Sequence, residues 1–141
     1  MNRHLAALFL ALAAAFTLAA CGEKEPPPPP DLTGNWSQPG DAEWYHIAEI
    51  EGDTITVWWY LPAEDLRELY WKGTFEAPQT GEEPYSWTSS NLMSMEELSK
   101  YIHRRTSREE TKTFTYKKGK LSYIVTAGHL RMTVTMEKVE N

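Results

Sequence analysis

The chain has 141 residues, a formal net charge of −6 and one cysteine, Cys21. That length fits one domain, a lone cysteine excludes an internal disulfide, and the acidic balance argues against nucleic acid as a partner, because phosphates need a basic face. The one basic run, Lys100, His103, Arg104, Arg105 and Arg108, is offset by Glu96, Glu97, Glu109 and Glu110 and reads as a solvated helix face.

Residues 5–20 carry no charge, consist mostly of Ala, Leu and Phe, follow Arg3 and His4, and end in Leu18-Ala19-Ala20-Cys21. A short basic start, an apolar stretch and small residues at a cut make an export signal. As a helix, sixteen residues would cover roughly 24 Å, short of the ~30 Å hydrocarbon core, so the expectation is a cleaved leader over 1–20. Leu18-Ala19-Ala20-Cys21 resembles the lipobox of bacterial lipoproteins at every position. That resemblance implies cleavage before Cys21 by the type II signal peptidase, a thioether-linked diacylglycerol on Cys21, and further acylation of its amine by a palmitate-like chain. Two or three chains, at about 0.8 kcal/mol per buried methylene, hold a soluble domain where one chain binds only marginally. The expected location is therefore the cell membrane, lipid-anchored and facing the extracytoplasmic side.

Gly22 to Glu25 and the prolines Pro26 to Pro30 follow. Proline runs adopt the extended polyproline II form, so these nine residues read as a stalk of roughly 28 Å. The organisation is thus a leader over 1–20, an anchor and Pro-rich linker over 21–30, and a folded domain over 31–141.

From Asp31 onward the pattern becomes short alternating runs of β-branched and aromatic residues separated by Gly, Pro, Asp and Glu. That pattern predicts strands over 32–38, 43–49, 54–60, 68–76, 85–89, 112–117, 121–127 and 130–139. Glycines in Glu51-Gly52-Asp53, Lys118-Gly119-Lys120 and Ala127-Gly128-His129 supply the positive φ of tight hairpins. Alternation points Ile55, Val57, Trp59, Leu69, Trp71, Phe75, Tyr85, Trp87, Phe114, Tyr116, Leu121, Tyr123, Val125, Leu130, Met132, Val134 and Met136 inward. A meander with one apolar face removes its edges by closing into a small eight-stranded barrel, the mainly β fold expected here.

Between the fifth and sixth strands, Ser94 and Glu97 form a capping-box pattern ahead of Met95, Leu98, Tyr101 and Ile102 at helical spacing. One short helix packed on the barrel is the expectation. Leu32-Thr33-Gly34-Asn35-Trp36 resembles the opening strand of the calycins, the lipocalins and avidins. The resemblance implies that Gly34 allows close strand approach and that Trp36 plugs one end of the barrel. It transfers no ligand residues, and biotin is not expected.

Six tryptophans and seven tyrosines dominate the domain's chemistry. Gly34, Trp36, Trp59, Trp71 and Trp87 are the candidate binding or barrel-floor residues. Trp58, Tyr60 and Tyr70, with Tyr45, fall on the opposite face and form the candidate surface patch. His46, His103 and His129 lack metal-ligand spacing, and no nucleophile motif or phosphate-cradling loop occurs, so neither a metal, a cofactor nor catalysis is expected. The reading is a non-catalytic interaction module at the cell envelope, its partner the membrane through the anchor and an envelope or extracellular protein. The alternative is a lipocalin-like binder of a small hydrophobic or aromatic ligand.

Overall fold

A computed structural model describes residues 22, 24–100, 105–127 and 129–140. The leader, Cys21, Tyr101, Ile102, His103, Arg104 and Gly128 lie outside the described residues.

Eight strands form: β1 (Gly34–Ser37), β2 (Tyr45–Glu51), β3 (Thr54–Leu61), β4 (Leu66–Thr74), β5 (Tyr85–Ser90), β6 (Thr111–Lys117), β7 (Lys120–Ala127) and β8 (Leu130–Lys138). Each corresponds to one of the eight expected runs. They make one antiparallel sheet in the order β4-β3-β2-β1-β8-β7-β6-β5, a nearly closed barrel whose two edges are β4 and β5. Gly52 at φ 58° and Gly119 at φ 76° make the β2–β3 and β6–β7 turns, a conformation in which a Cβ is costly.

The barrel has two poles. The entry pole carries the start of β1, the β2–β3 and β6–β7 turns and the end of β8; the far pole carries the β3–β4 connection and the long β5–β6 connection. At the entry pole Leu32 and Trp36 are buried, and the Trp36 indole donates to the Leu32 carbonyl at 3.0 Å. Trp36 is therefore fixed inward at that end. Rings span the interior between the walls: Phe75 to Trp87 at 5.1 Å, Trp87 to Phe114 at 5.1 Å, Phe114 to Tyr123 at 5.0 Å and Tyr123 to Tyr70 at 6.1 Å. Burying rings of this size, roughly 150–250 Å² each, is the main stabilising term.

Two expectations are corrected. Met132 is 48% exposed, although Val134 and Met136 beside it are buried. Met132 lies near the start of β8 at the far pole, five residues before the first β1 pair at Glu137, whereas Val134 and Met136 lie progressively closer to that pairing. The helix α1 (Met95–Lys100) forms with its capping box intact, Ser94 N donating to Glu97 Oε2 at 2.9 Å and Glu97 N to Ser94 Oγ at 3.0 Å. Yet Met95 is 81% exposed, and α1 buries none of its residues. Met93, just before the helix, packs on the core instead.

Sequence neighbours pair throughout except at β4 and β5, which share a single bridge, Gly73 to Asn91. An open edge leaves backbone groups without partners, and here other donors reach the β4 carbonyls. Thr106 Oγ1 bonds Leu69 O at 2.7 Å, Ser107 N bonds Tyr70 O and Leu92 N bonds Lys72 O at 2.9 Å each, and the Trp87 indole bonds Thr74 O at 3.1 Å. At the centre of this seam Gly73 has no room for a side chain: a Cβ would collide with Ser89 Oγ and sit 2.5 Å from Trp71 Nε1 and 2.7 Å from Ser90 O. Gly73→Ala is expected to lower unfolding free energy by about 1–3 kcal/mol, the cost of overpacking, read as a reduced urea midpoint; an unchanged midpoint would show that the seam opens at no cost.

Candidate functional site

Below the far pole the inward positions become polar. His46 of β2, Tyr70 of β4, Ser89 of β5, Lys112 of β6 and Tyr123 of β7 are all buried, with Trp59 of β3 partly buried beside them. The His46 imidazole lies in a box of rings, its centroid 3.8 Å from Trp59, 4.9 Å from Tyr70 and 5.7 Å from Tyr123. Its Nδ1 shares a hydrogen bond with the Tyr123 hydroxyl, while its buried Nε2 has no partner among the described residues. Burial, aided by the Lys112 cation, lowers the His46 pKa from 6.5 to about 3, so at neutral pH the imidazole is an uncharged hydrogen-bonding group. Burial likewise raises Tyr70, and it holds Tyr123 well above the ordinary tyrosine value.

Lys112 is the buried cation of this pole among the described residues. Its ammonium pairs with the Glu109 carboxylate, donates to Ile124 O at 3.2 Å, and lies 5.3 Å from the Tyr70 ring and 5.5 Å from that of Trp71. A buried ammonium needs such a counterion and ring faces to offset lost hydration. Glu109 comes from the β5–β6 connection, where Ser107 Oγ donates to its carboxylate at 3.0 Å. The wall beside Lys112 is split, because the β6–β7 register ends at Phe114–Tyr123. Beyond that pair lies a cleft of about 230 Å³ bordered by Glu109, Lys112, Thr113, Ile124, Thr126 and Arg131.

Outside the same pole, Trp58 and Tyr60 of β3 are half-exposed. Tyr45, paired with Tyr60 across β2–β3, meets it edge-on at 5.5 Å, and the Arg67 guanidinium of β4 lies 6.0 Å from the Trp58 ring and 5.7 Å from that of Tyr60. The Tyr60 hydroxyl donates to Asp65 at 3.0 Å. Nearby, Arg105 sits 3.8 Å over the half-buried Trp44 ring and 3.8 Å from Glu68, and its carbonyl accepts the Trp59 indole at 3.3 Å.

The predicted patch is thus present in Trp58, Tyr60 and Tyr45, but Tyr70 is buried and leaves it. A register shift explains the difference: Val57 pairs with Trp71 while Trp58 pairs with Leu69, so Tyr70 is the extra residue of a bulge, which re-aims a side chain. The candidate barrel-floor residues do not share one site. Gly34, at φ 108°, and Trp36 sit at the entry pole. Trp71 bonds Ser89 Oγ at 3.0 Å, Trp87 stacks between Tyr85 and Phe114, and Trp59 belongs to the far pole. Sequence reasoning missed Lys112, Glu109 and the burial of His46, although alternation with Phe114 and Tyr116 marks Lys112 as inward-facing.

Among the described residues no group of three or more His, Cys, Asp or Glu side chains could hold a metal ion, and no helix is long and apolar enough to cross a membrane. Comparison with protein-family models, curated proteins and solved structures finds no match to this chain.

His46 predicts a pH dependence of stability. Its folded pKa, about 3, lies below the unfolded value of 6.5, so its contribution is complete above pH 6.5 and is lost as pH falls through that value toward 3. Urea unfolding between pH 6.5 and 5 should show stability falling by up to about 1.4 kcal/mol per pH unit. His46→Phe should flatten that slope whatever it does to the absolute stability; an equal slope in both proteins would place the titrating group elsewhere.

Proposed function

We propose that this chain is a lipid-anchored extracytoplasmic lipoprotein whose barrel is a non-catalytic docking module for a protein partner. The observation that carries the docking reading is the half-exposed set Trp58, Tyr60 and Tyr45 with the exposed Arg67, on a barrel whose interior is occupied by its own rings. Tryptophan, tyrosine and arginine are the residues that concentrate binding energy in protein interfaces, because they bury large area with little rotamer loss and keep a polar end for the partner. Arg67 is already held over the rings, so less ordering remains to be done on binding. The anchored part of the reading rests on Leu18-Ala19-Ala20-Cys21 and the apolar stretch before it.

A second reading, a lipocalin-like binder of a small hydrophobic or aromatic ligand, is favoured by one observation, the split between β6 and β7 beside a cleft bordered by Lys112, Ile124 and Arg131. Tryptophan fluorescence and thermal shift against small aromatic acids and isoprenoids separate the two readings. A ligand of the native state at a hundredfold excess over its Kd stabilises by about 2.7 kcal/mol, whereas a silent panel removes this second reading.

Two outcomes test the proposal itself. Cys21→Ser should abolish palmitate incorporation and move the chain out of the membrane fraction; retention with no label in the unaltered chain would end the lipoprotein reading. A photo-crosslinking residue at position 58 should give a discrete protein adduct in intact cells that is absent with the crosslinker at Glu49. The double change Tyr45→Ser, Tyr60→Ser should weaken the adduct at least tenfold while shifting the unfolding midpoint little. Equal labelling from both positions would sink the docking reading.

A further inference from the structure

The proline-rich segment is not a free stalk along its whole length. Gly81, in the β4–β5 connection, donates its backbone N–H to the Pro27 carbonyl at 2.8 Å. A Cβ at Gly81 would lie 2.5 Å from Pro27 O and 2.6 Å from Pro28 O, so the approach needs glycine. Pro78, three residues earlier in the same connection, is buried. Downstream the chain is fastened again, Lys138 Nζ donating to Asp31 O at 2.8 Å and Leu32 entering the core. Every one of these contacts is at the entry pole.

Resting on the anchored reading, we infer that Pro27 and Pro28, docked on Gly81, act as a strut that prevents the barrel from inverting on its tether and keeps the Trp58, Tyr60 and Arg67 pole turned away from the membrane. The magnitudes decide it. From Cys21 to Asp31 an undocked polyproline II chain would reach about 31 Å, but from Cys21 to the docked Pro27 only about 19 Å. The longest strands have nine residues, about 30 Å of strand, which a barrel tilt of about 40° projects to about 23 Å along the axis. For the far pole to meet the bilayer head-on, the tether must run that height from the entry pole. The undocked chain is long enough to do so, and the docked chain falls short. Polyproline is suited to the task because its backbone makes no internal hydrogen bonds and leaves the Pro27 carbonyl free to accept.

The test uses the full chain made with its own leader and reconstituted into vesicles carrying a head-group nitroxide. With Cys21 acylated, a cysteine introduced by Glu51→Cys at the entry pole or Glu64→Cys at the far pole is the only free thiol for a fluorophore. Acylation is checked first by intact mass, and its absence overturns the anchored reading and this inference with it. With acylation present, the Glu51→Cys label should be quenched and the Glu64→Cys label at least threefold less. Adding Gly81→Val should bring the two within twofold of each other, and the pair Pro27→Gly, Pro28→Gly should do the same if Gly81→Val lowers the unfolding midpoint. Equal quenching without either release, or a difference that survives both, overturns the strut while leaving the anchor intact.

Discussion

Closure of the barrel depends on how the free edge of β4 is satisfied. A full hairpin partner is missing there, and the carbonyls of Leu69, Tyr70, Lys72 and Thr74 take donors from Thr106, Ser107, Leu92 and Trp87 instead. A seam of this kind admits residues a ladder would not. Tyr70 sits in a bulge, Gly73 leaves space for Ser89 and Trp71, and the long β5–β6 connection becomes part of the wall. Glu109 pairs with Lys112 three residues on, from a connection that Thr106 and Ser107 hold against β4. The polar far pole therefore borders the seam.

The two poles differ in the kind of energy that holds them. At the entry pole, Leu32 and Trp36 are buried and the one polar group among them, the indole N–H, is satisfied within four residues. At the far pole, His46, Lys112, Tyr70 and Tyr123 are buried with partners that must all be in place together. Networks of that sort contribute little net stability and are costly to leave half-made. The far pole thus combines this buried network with the outward-lying Trp58, Tyr60 and Arg67.

Much of the fold was legible in the residues. Period-2 alternation and the glycines at positions 52 and 119 placed all eight strands, and Ser94 with Glu97 placed the start of α1. Alternation failed at Tyr70, where one extra residue in β4 shifts the pairing with β3, and at Met132, which lies at the end of β8 farthest from its pairing with β1. Both are properties of pairing between strands, which a window along one strand does not contain. His46 was hidden for a similar reason: its box is assembled from β3, β4 and β7, and a lone histidine in an alternating strand carries no mark of that. The contact of Pro27 and Pro28 with Gly81 was hidden as well, because five prolines read as a spacer until the glycine that receives two of them is known.

The brevity of β1 has a mechanical side. Its four residues pair with β2 on one flank, and the last two, Trp36 and Ser37, also pair with β8 on the other, and the chain that enters at Leu32 continues directly into it. Under the proposed anchoring and docking, tension between the tether and a partner at the far pole would run along the β1 axis and load its bonds to β2 and β8 together in shear instead of peeling them one by one. A strand that contributes little to the sheet's area would thus carry the proposed tether's pull into both halves of the barrel.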